Sequence, residues 1–320
     1  MGKYVGIDIG GTNIKYGLLD EKGNILHKDK IKTSSEGVEI IKNIKIIVEN
    51  YKEAHDIRAV GISAPGIVEE SGFMTTGGAI FDFYGVHLKN ILEKELGLHV
   101  AVENDANSAA LAEKWLGAGR NYKNYFTAVV GTGIGGAVMI NNDIYRGAHA
   151  TAGEFGFMIN APVLNGDTRL SSVSLTSSVQ SGLVQRYLDG SDATMPQQDL
   201  DGEDIFQLAE AGDLRAKNVI DAFYDHLAIG IYNVLVSLDP EVVLVGGGIS
   251  ANQSFIQELN RRVQGLQAGH RDMKNMTLAK IVPCHFLNDA GIVGASYKAM
   301  KEDRERKLES EKQEIDPVSR

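Results

Sequence analysis

The sequence predicts an α/β protein in which one arrangement of strands occurs twice. Short apolar segments typical of buried strands alternate with amphipathic segments typical of helices. A strand, a glycine-rich turn and a second strand occur near residue 10 and again near residue 131. We therefore expect a duplicated α/β fold of two lobes with a cleft between them. The expected lobes are residues 1–118 and 119–300, and residues 301–320 form a charged tail. The last helix of the second lobe could pack against the first lobe.

The first lobe is predicted from apolar runs that end at turn residues and from helical spacing of apolar side chains. In one helix, for example, Ile40, Ile44 and Ile47 repeat at intervals of three or four residues. The predicted strands are Tyr4–Ile9, Ile14–Leu19, Ile25–Thr33, Ala59–Ala64 and Val100–Glu103. The predicted helices are Glu39–Val48, Leu88–Leu96 and Ala106–Leu116.

The second lobe begins with the repeated strand pair and continues with longer helices. Its predicted strands are Tyr125–Val130, Ala137–Ile140, Val242–Val245 and Thr277–Pro283. Its predicted helices are Leu214–Leu238, which carries one long apolar stripe, Ser254–Val263 and Gly291–Met300. The charged tail after Met300 is predicted to be a frayed, solvated helix end.

Composition excludes several classes of protein. With 32 basic and 42 acidic residues the net charge is −10, which argues against a general nucleic-acid binder. The one cysteine, Cys284, excludes an intramolecular disulfide framework and any multi-cysteine metal site. The N-terminus has no signal-peptide pattern, and Asp239 and Glu241 interrupt the best apolar run, so we expect no membrane span. These features predict a soluble cytoplasmic protein without nucleic-acid or membrane partners.

Glycine is unusually frequent, at 36 of 320 residues, and it clusters beside predicted strands. The turn Gly10–Asn13 could point several backbone N–H groups at one phosphate, or it could be an ordinary hairpin turn. Asp8, at the end of the preceding strand, could hold a magnesium ion through water. A strand follows the turn, which excludes a Rossmann fingerprint, and no Gly-Lys-Ser/Thr follows, which excludes a Walker A loop.

Two further glycine clusters lie in the second lobe. Gly131–Gly136 again joins two predicted strands, and two such hairpins favour a phosphate clamp over two idle turns. Gly246–Ser250 ends a strand and begins a helix, which suits a nucleotide base or ribose packed against the backbone.

Asn104 and Asp105 stand between a predicted strand and a predicted helix. Either residue could simply cap the helix. A general-base role could coexist with capping at Asp105, because a helix N-terminus favours the carboxylate form.

Taken in order, these segments resemble the ROK sugar kinases (repressor, open reading frame, kinase) of the actin-like ATPase fold. The resemblance extends from about residue 4 to about residue 300. Asp8–Thr12 resembles the family's first phosphate motif, and Gly131–Gly136 resembles the second. Glu103–Ala110 is similar to its catalytic segment, Ala152–Gly156 to its sugar-contact segment, and Gly246–Ser250 to its adenosine-side motif.

The resemblance implies an ATP-dependent sugar kinase that uses ATP and Mg²⁺ as cofactors, with Asp105 as the catalytic base. The implied ATP-binding residues are Gly10, Gly11, Thr12, Asn13, Gly131, Thr132, Gly133, Gly135, Gly247 and Gly248, and Asp8 is the implied magnesium residue. The implied sugar-binding residues are Gly78, Ala79, Asn104, Asp105, Glu154 and Phe157. A homodimer is the habit of the family. Sugar-sensing transcriptional regulators also belong to it, but these carry a DNA-binding domain before the first phosphate motif, and only seven residues precede Asp8 here.

The sequence departs from the family's pattern at four places. The family usually has an asparagine in the loop that matches Gly77–Ile80. Phe157 stands where most members have a histidine. The position of the family's late glutamate falls near Ser177, so that glutamate is missing here. The loop Met158–Ser172 contains no cysteine, so we expect no structural zinc. Since the histidine and glutamate contact the anomeric end of glucose, their loss favours a kinase for β-glucosides such as cellobiose. A glucokinase or another hexose or N-acylhexosamine kinase is the alternative.

Overall fold

A computed structural model describes residues 2–163, 165–189 and 200–315, and these form two compact units. The first unit contains the residues up to Arg120, the segment Arg146–Thr151 and the residues from Asp289 onward. The second contains Asn121–Tyr145 and Ala152–Asn288. The lobe boundaries expected at residues 118 and 300 stay predictions.

The first unit contains a mixed five-stranded sheet in the order β3-β2-β1-β4-β7. Strand β1 is antiparallel to β2 and parallel to β4, and β4 is parallel to β7. The strands are β1 (Lys3–Ile9), β2 (Asn13–Asp20), β3 (Ile25–Lys32), β4 (Ile57–Ala64) and β7 (His99–Asn104), with a separate short pair, β5 (Phe73–Met74) and β6 (Val86–His87). The helices are α1 (Gly37–Ala54), α2 (Leu88–Leu96), α3 (Asp105–Leu116) and α9 (Ala290–Ile315).

The second unit contains a sheet in the order β10-β9-β8-β11-β12. Its strands are β8 (Tyr125–Val130), β9 (Ile134–Ile140), β10 (Asp143–Ile144), β11 (Val242–Gly246) and β12 (Lys280–Pro283). Its helices are α4 (Val173–Ser177), α5 (Arg186–Asp189), α6 (Gly202–Glu210), α7 (Leu214–Leu238) and α8 (Gln253–Gly269), and a π-helical segment spans Val179–Gln185.

The two sheets have the same topology. In each, the first strand of the unit is central, the second and third strands extend the sheet on one side in antiparallel pairs, and two parallel strands extend it on the other. The predicted duplicated α/β fold is therefore confirmed at the level of strand order and direction.

Helix α7 is long and apolar enough to pass as a membrane span by length and composition. This corrects the expectation that no such segment exists. Its Phe223, Leu227 and Ile231 are fully buried and belong to the same apolar cluster as strand residues such as Val243 and Val245. Packing within the second unit therefore accounts for the apolar stripe of this helix.

Other differences from the predicted elements have local causes. Strand β9 begins at Ile134 rather than Ala137, because Gly135 and Gly136 pair with Val129 and Ala128. Strand β12 begins at Lys280, three residues after the predicted start at Thr277.

Helix α9 continues past Met300 to Ile315, and residues 301–303 of the predicted tail are buried or half-buried, whereas residues 304–312 are exposed. Asp303 is buried and accepts a hydrogen bond from the hydroxyl of Tyr4 at 3.2 Å. Glu302 pairs with Lys89 at 3.1 Å. Residues 316–320 of the predicted tail lie outside the described residues.

Candidate active site

Parallel pairing places the functional groups of the first unit at one edge of its sheet. Asp8 on β1 is in register with Ser63 on β4, and Ser63 is in register with Glu103 on β7. Asn104 ends β7, and α3 begins at the next residue, Asp105. The carboxyl ends of parallel strands are where ligands bind in open α/β sheets.

Asn104 is the N-cap of α3, since its Oδ1 accepts a hydrogen bond from the backbone N–H of Asn107 at 3.0 Å. Its Nδ2 donates both to the carbonyl oxygen of Gly66, at 2.8 Å, and to Oδ1 of Asp105, at 3.0 Å. The same Oδ1 accepts from the backbone N–H of Ala106 at 2.8 Å. The capping role belongs to Asn104, and Asp105 is left with an oxygen, Oδ2, for which these contacts provide no donor.

The pKa of Asp105 is raised to about 6. The largest cause is the loss of hydration around the carboxyl group, and the second is the negative charge of Asp8. The hydrogen bonds from Ala106 and Asn104 oppose these effects only in part. The residue still has solvent-accessible surface, so a substrate hydroxyl can reach it. A carboxylate with a pKa near 6 can accept a proton at neutral pH.

Asp8 is the second acidic group of this edge. Its Oδ1 accepts from the hydroxyl of Ser63 at 2.7 Å, and Lys15 Nζ lies 4.0 Å from its Oδ2. Loss of hydration raises its pKa, and Ser63 and Lys15 oppose that rise. Two mutually repelling carboxylates, Asp8 and Asp105, are a donor set that suits a hard divalent cation held partly through water. Among the described residues no cluster of three or more acidic, histidine or cysteine side chains is placed to bind a metal directly.

Hydrogen bonds hold the first glycine turn, Gly10–Asn13, in place. Gly10 donates its N–H to the carbonyl oxygen of Asn13 at 3.0 Å, and the hydroxyl of Thr33 donates to the carbonyl oxygen of Gly10 at 2.7 Å. Gly11 and Thr12 are exposed, and a Cβ added to Gly11 would meet no atom within 4 Å. The turn therefore has space for a ligand beside its backbone.

The second glycine turn lies beside the adenosine-side motif. Gly131 donates its N–H to the carbonyl oxygen of Gly133 at 2.9 Å, and its own carbonyl oxygen accepts from the N–H of Val179 at 2.9 Å. Gly247 has a φ of +90°, and an added Cβ would collide with the carbonyl oxygen of Val130. Only glycine permits this approach between the two motifs.

A cavity of about 600 Å³ opens beside these motifs. Gly131, Thr132 and Gly248, three of the residues expected to bind ATP, line it. Gly135 instead lies within β9, where it pairs with Val129. The volume is within the usual range of small-molecule sites.

Sequence reasoning missed part of the cavity wall, including Val179, Phe206 and Asn252. Phe206 lies on α6, which was not predicted. The signal for α6 was present, because Asp201 and Asp204 form a capping box at its start.

The expected sugar loop of the first unit lies next to the catalytic segment. Gly78 has a φ of +57°, and an added Cβ would lie 3.3 Å from the backbone nitrogen of Gly66. Gly66 in turn holds Asn104 through its carbonyl oxygen. Gly78 and Ala79 are both exposed, so this loop offers its backbone to a ligand.

The expected sugar-contact segment of the second unit packs against the second glycine turn. The carbonyl oxygen of Ile134 lies 2.4 Å from the position of a Cβ on Gly156, so the two backbones touch. Glu154 is half-buried, and Phe157, three residues later, is 70% exposed. Ser177 is fully buried, and its hydroxyl lies 3.2 Å from that of Thr176.

The ROK family model matches residues 4–302 of this chain. The chain belongs to the ROK family. A β-glucoside kinase of Listeria monocytogenes is 36% identical over 303 residues, which is 94% of this chain and 98% of that protein.

Solved structures of ROK proteins have the same fold. The Lmo2764 protein of Listeria monocytogenes, described as a candidate N-acetylmannosamine kinase, is 34% identical with a TM-score of 0.83, covering 94% of this chain and 99% of that one. A ROK glucokinase of Streptomyces griseus, solved with glucose and AMPPNP, is 29% identical with a TM-score of 0.81, covering 94% and 100%. The predicted actin-like ATPase fold is confirmed by these ROK relatives.

Proposed function

We propose that this ROK protein transfers the γ-phosphoryl group of ATP to the 6-hydroxyl of a glucose ring that carries a β-linked substituent at C1, as in cellobiose. The chain is an ATP-dependent carbohydrate kinase. The finer substrate assignment is supported by its 36% identity to a β-glucoside kinase over nearly the whole chain. A cytoplasmic location, where ATP is available, is part of this proposal.

The observation that carries the kinase mechanism is the position of Asp105. The side chain of Asn104 and the backbone N–H of Ala106 hold one carboxylate oxygen, and the raised pKa makes the group a base near neutral pH. Asp105 accepts the proton of the sugar 6-hydroxyl as the oxygen of that hydroxyl bonds to the γ-phosphorus. The bond between the γ-phosphorus and the oxygen that bridges it to the β-phosphate breaks, and ADP leaves. In phosphoryl transfer, positioning and charge stabilisation account for most of the acceleration.

The glycine turns have separate roles in this proposal. Gly10, Gly11, Thr12 and Asn13 bind phosphate through backbone N–H groups, and Gly131, Thr132 and Gly133 do the same in the second unit. Gly247 and Gly248 border the adenosine. Asp8 would hold Mg²⁺ through water, and that ion supplies neutralisation of phosphate charge when bound.

The sugar contacts proposed are Asn104, Glu154 and the backbone of Gly78 and Ala79. Phe157 is the proposed contact of the C1 substituent, because its ring is exposed and its backbone N–H donates to the carbonyl oxygen of Glu154 at 3.1 Å, which ties it to the proposed sugar-contact segment. An aromatic ring packs well against the apolar face of a sugar or aryl group. A polar side chain there would instead hold a free anomeric hydroxyl.

A glucokinase or an N-acylhexosamine kinase is the second candidate, because relatives of both descriptions match most of this chain. The deciding experiment measures kcat/KM for cellobiose, methyl β-glucoside, glucose and N-acetylmannosamine in an ATP-consumption assay. We expect the two β-glucosides to be preferred. A preference for free glucose of more than about tenfold, or ~1.4 kcal/mol of transition-state binding, overturns the β-glucoside assignment and leaves the kinase assignment in place.

A further inference from the structure

The segment that resembles the family's catalytic segment begins with a fully buried carboxylate. Glu103 is 0% exposed and is the second-last residue of β7. Its carboxylate contacts two cations: Arg146 donates from Nη1 to Oε1 at 2.8 Å and from Nη2 to Oε2 at 2.5 Å, and Lys298 Nζ lies 2.9 Å from Oε2. Glu103, Arg146 and Lys298 are called the Glu103 cluster below.

In the Glu103 cluster, the negative charge of Glu103 is compensated by the positive charges of Arg146 and Lys298. Burial alone would raise the pKa of Glu103, but the charge of Lys298 and the hydrogen bonds and charge of Arg146 hold it at about 2. Lys298 also donates to the carbonyl oxygen of Val102 at 2.8 Å. An ion pair that costs desolvation and is nonetheless this well satisfied is more readily explained by a demand for fixed geometry than by stability.

The geometry that the cluster fixes is the first turn of α3. Oε1 of Glu103 accepts from the backbone N–H of Asn104 and from Nδ2 of Asn107, each at 3.0 Å. Asn107 closes the turn by donating its backbone N–H to Oδ1 of Asn104. Asn104 then holds Asp105. One carboxylate oxygen thus ties both ends of the turn that carries the proposed base.

We propose that Glu103 and Arg146 are positioning residues that set the orientation of Asn104 and Asp105 for phosphoryl transfer. The catalytic part of this inference rests on the proposed function. Arg146 suits the task because its planar guanidinium binds both carboxylate oxygens at once, which prevents rotation of the Glu103 carboxylate. Lys298 binds only Oε2 and cannot replace that fork.

The first test compares Arg146→Met with Arg58→Met. Arg58 makes an ion pair with Asp303 at 3.7 Å in the same unit and has no part in the Glu103 cluster, so it controls for loss of a cation. We expect Arg146→Met to lower kcat about 10- to 100-fold, with KM for ATP and sugar changed less than about threefold. Arg58→Met should keep kcat. Arg146→Lys, which keeps the charge but loses the fork, should recover part of kcat. An unchanged kcat in Arg146→Met, or a loss confined to KM, overturns the proposal.

A double variant keeps the test decisive if Arg146→Met does not fold. Glu103→Gln with Arg146→Met removes the buried carboxylate that has lost its guanidinium partner. Lys298 keeps the carbonyl oxygen of Val102 and the carboxylate of Glu302, 3.9 Å away, as partners, so the main cause of unfolding is removed. We expect kcat to stay at least tenfold low, whereas recovery of the wild-type kcat shows that Arg146 only neutralises Glu103 and overturns the proposal.

Hydrogen exchange gives a readout that does not depend on activity. The amides of residues 104–108 should exchange faster in Arg146→Lys and in the double variant than in the wild type and in Arg58→Met. Unchanged exchange there overturns the positioning role. If the wild type fails to consume ATP with every sugar tested, the proposed function fails. The exchange result still decides whether the Glu103 cluster orders this turn.

Discussion

Asp8 lies near enough to Asp105 that its negative charge, added to the larger effect of lost hydration, raises the pKa of Asp105 to about 6. Asp8 is near the carboxyl end of β1 and Asp105 directly follows β7, with β4 between the two strands, and Ser63 of β4 donates a hydrogen bond to Asp8. In the proposed mechanism this pair sets the pH at which the base is ionised.

The pH dependence of kcat/KM tests that relationship. A base works only when ionised, so activity should fall as the pH drops through the pKa of Asp105, with the midpoint near pH 6. Asp8→Asn removes a negative charge, which favours the ionised form of Asp105. In protein without Mg²⁺ and nucleotide, the midpoint for the Asp105 carboxyl group, followed by NMR, should therefore move to lower pH by about half a unit or more. Glu39→Gln, which removes an exposed negative charge on α1, is the control. A midpoint that stays or rises in Asp8→Asn contradicts the account.

Most strands and the glycine turns were accessible from the sequence because both depend on local patterns, whereas the order of the strands in each sheet was not predicted. Apolar runs and turn residues mark β1, β2, β8 and β9, and their similarity indicates the duplication. The Glu103 cluster was not accessible. Arg146 and Lys298 lie 43 and 195 residues from Glu103, and nothing in a single sequence indicates that three charged residues so far apart share one buried site.

The cavity wall was predicted only in part for a related reason. The glycine motifs can be recognised in the sequence from their composition, but Phe206 is an ordinary apolar residue of α6. The capping box at Asp201 would have revealed the helix, though not that its aromatic side chain lines the cavity. Phe157 was singled out because it departs from a family pattern, which is information that composition alone does not contain.

Replacing glycines should separate ligand binding from folding. Gly131→Ala places its methyl group in open space, so the thermal midpoint should stay within about 2 °C while KM for ATP rises, since the methyl group would occupy space beside the phosphates. Gly247→Ala is the matched comparison. Its φ of +90° and the carbonyl oxygen of Val130 should cost at least about 1–2 kcal/mol of stability. Equal effects of the two changes on the thermal midpoint would contradict this reading.

Removing the exposed ring of Phe157 should affect substrates by the size of their C1 substituent. Phe157→Ala should raise KM for an aryl β-glucoside about five- to tenfold and leave KM for glucose within about twofold, because only the former contacts the ring. Val38→Ala removes another highly exposed apolar side chain, 74% exposed, and should change neither constant. Equal losses for the aryl glucoside and for glucose would count against a role at C1.

Metal removal should stop catalysis without unfolding the protein. The sequence supplies no cysteine set for zinc, so metal analysis should find less than about 0.1 zinc per chain. EDTA should abolish turnover by removing Mg²⁺, which added Mg²⁺ should restore, while the thermal midpoint without nucleotide stays unchanged. About one zinc per chain, or a large drop in the midpoint with EDTA, would show a structural metal site.

The most direct test of the central claim is the turnover of Asp105→Asn with ATP and cellobiose. Asn104 is the N-cap of α3, and asparagine can still accept the hydrogen bond from Ala106, so the variant should fold with a thermal midpoint close to that of the wild type. Its amide cannot accept the sugar proton, so kcat should fall by about 10²–10⁴. A folded variant that keeps more than about half of the wild-type kcat would contradict the assignment of Asp105 as the base.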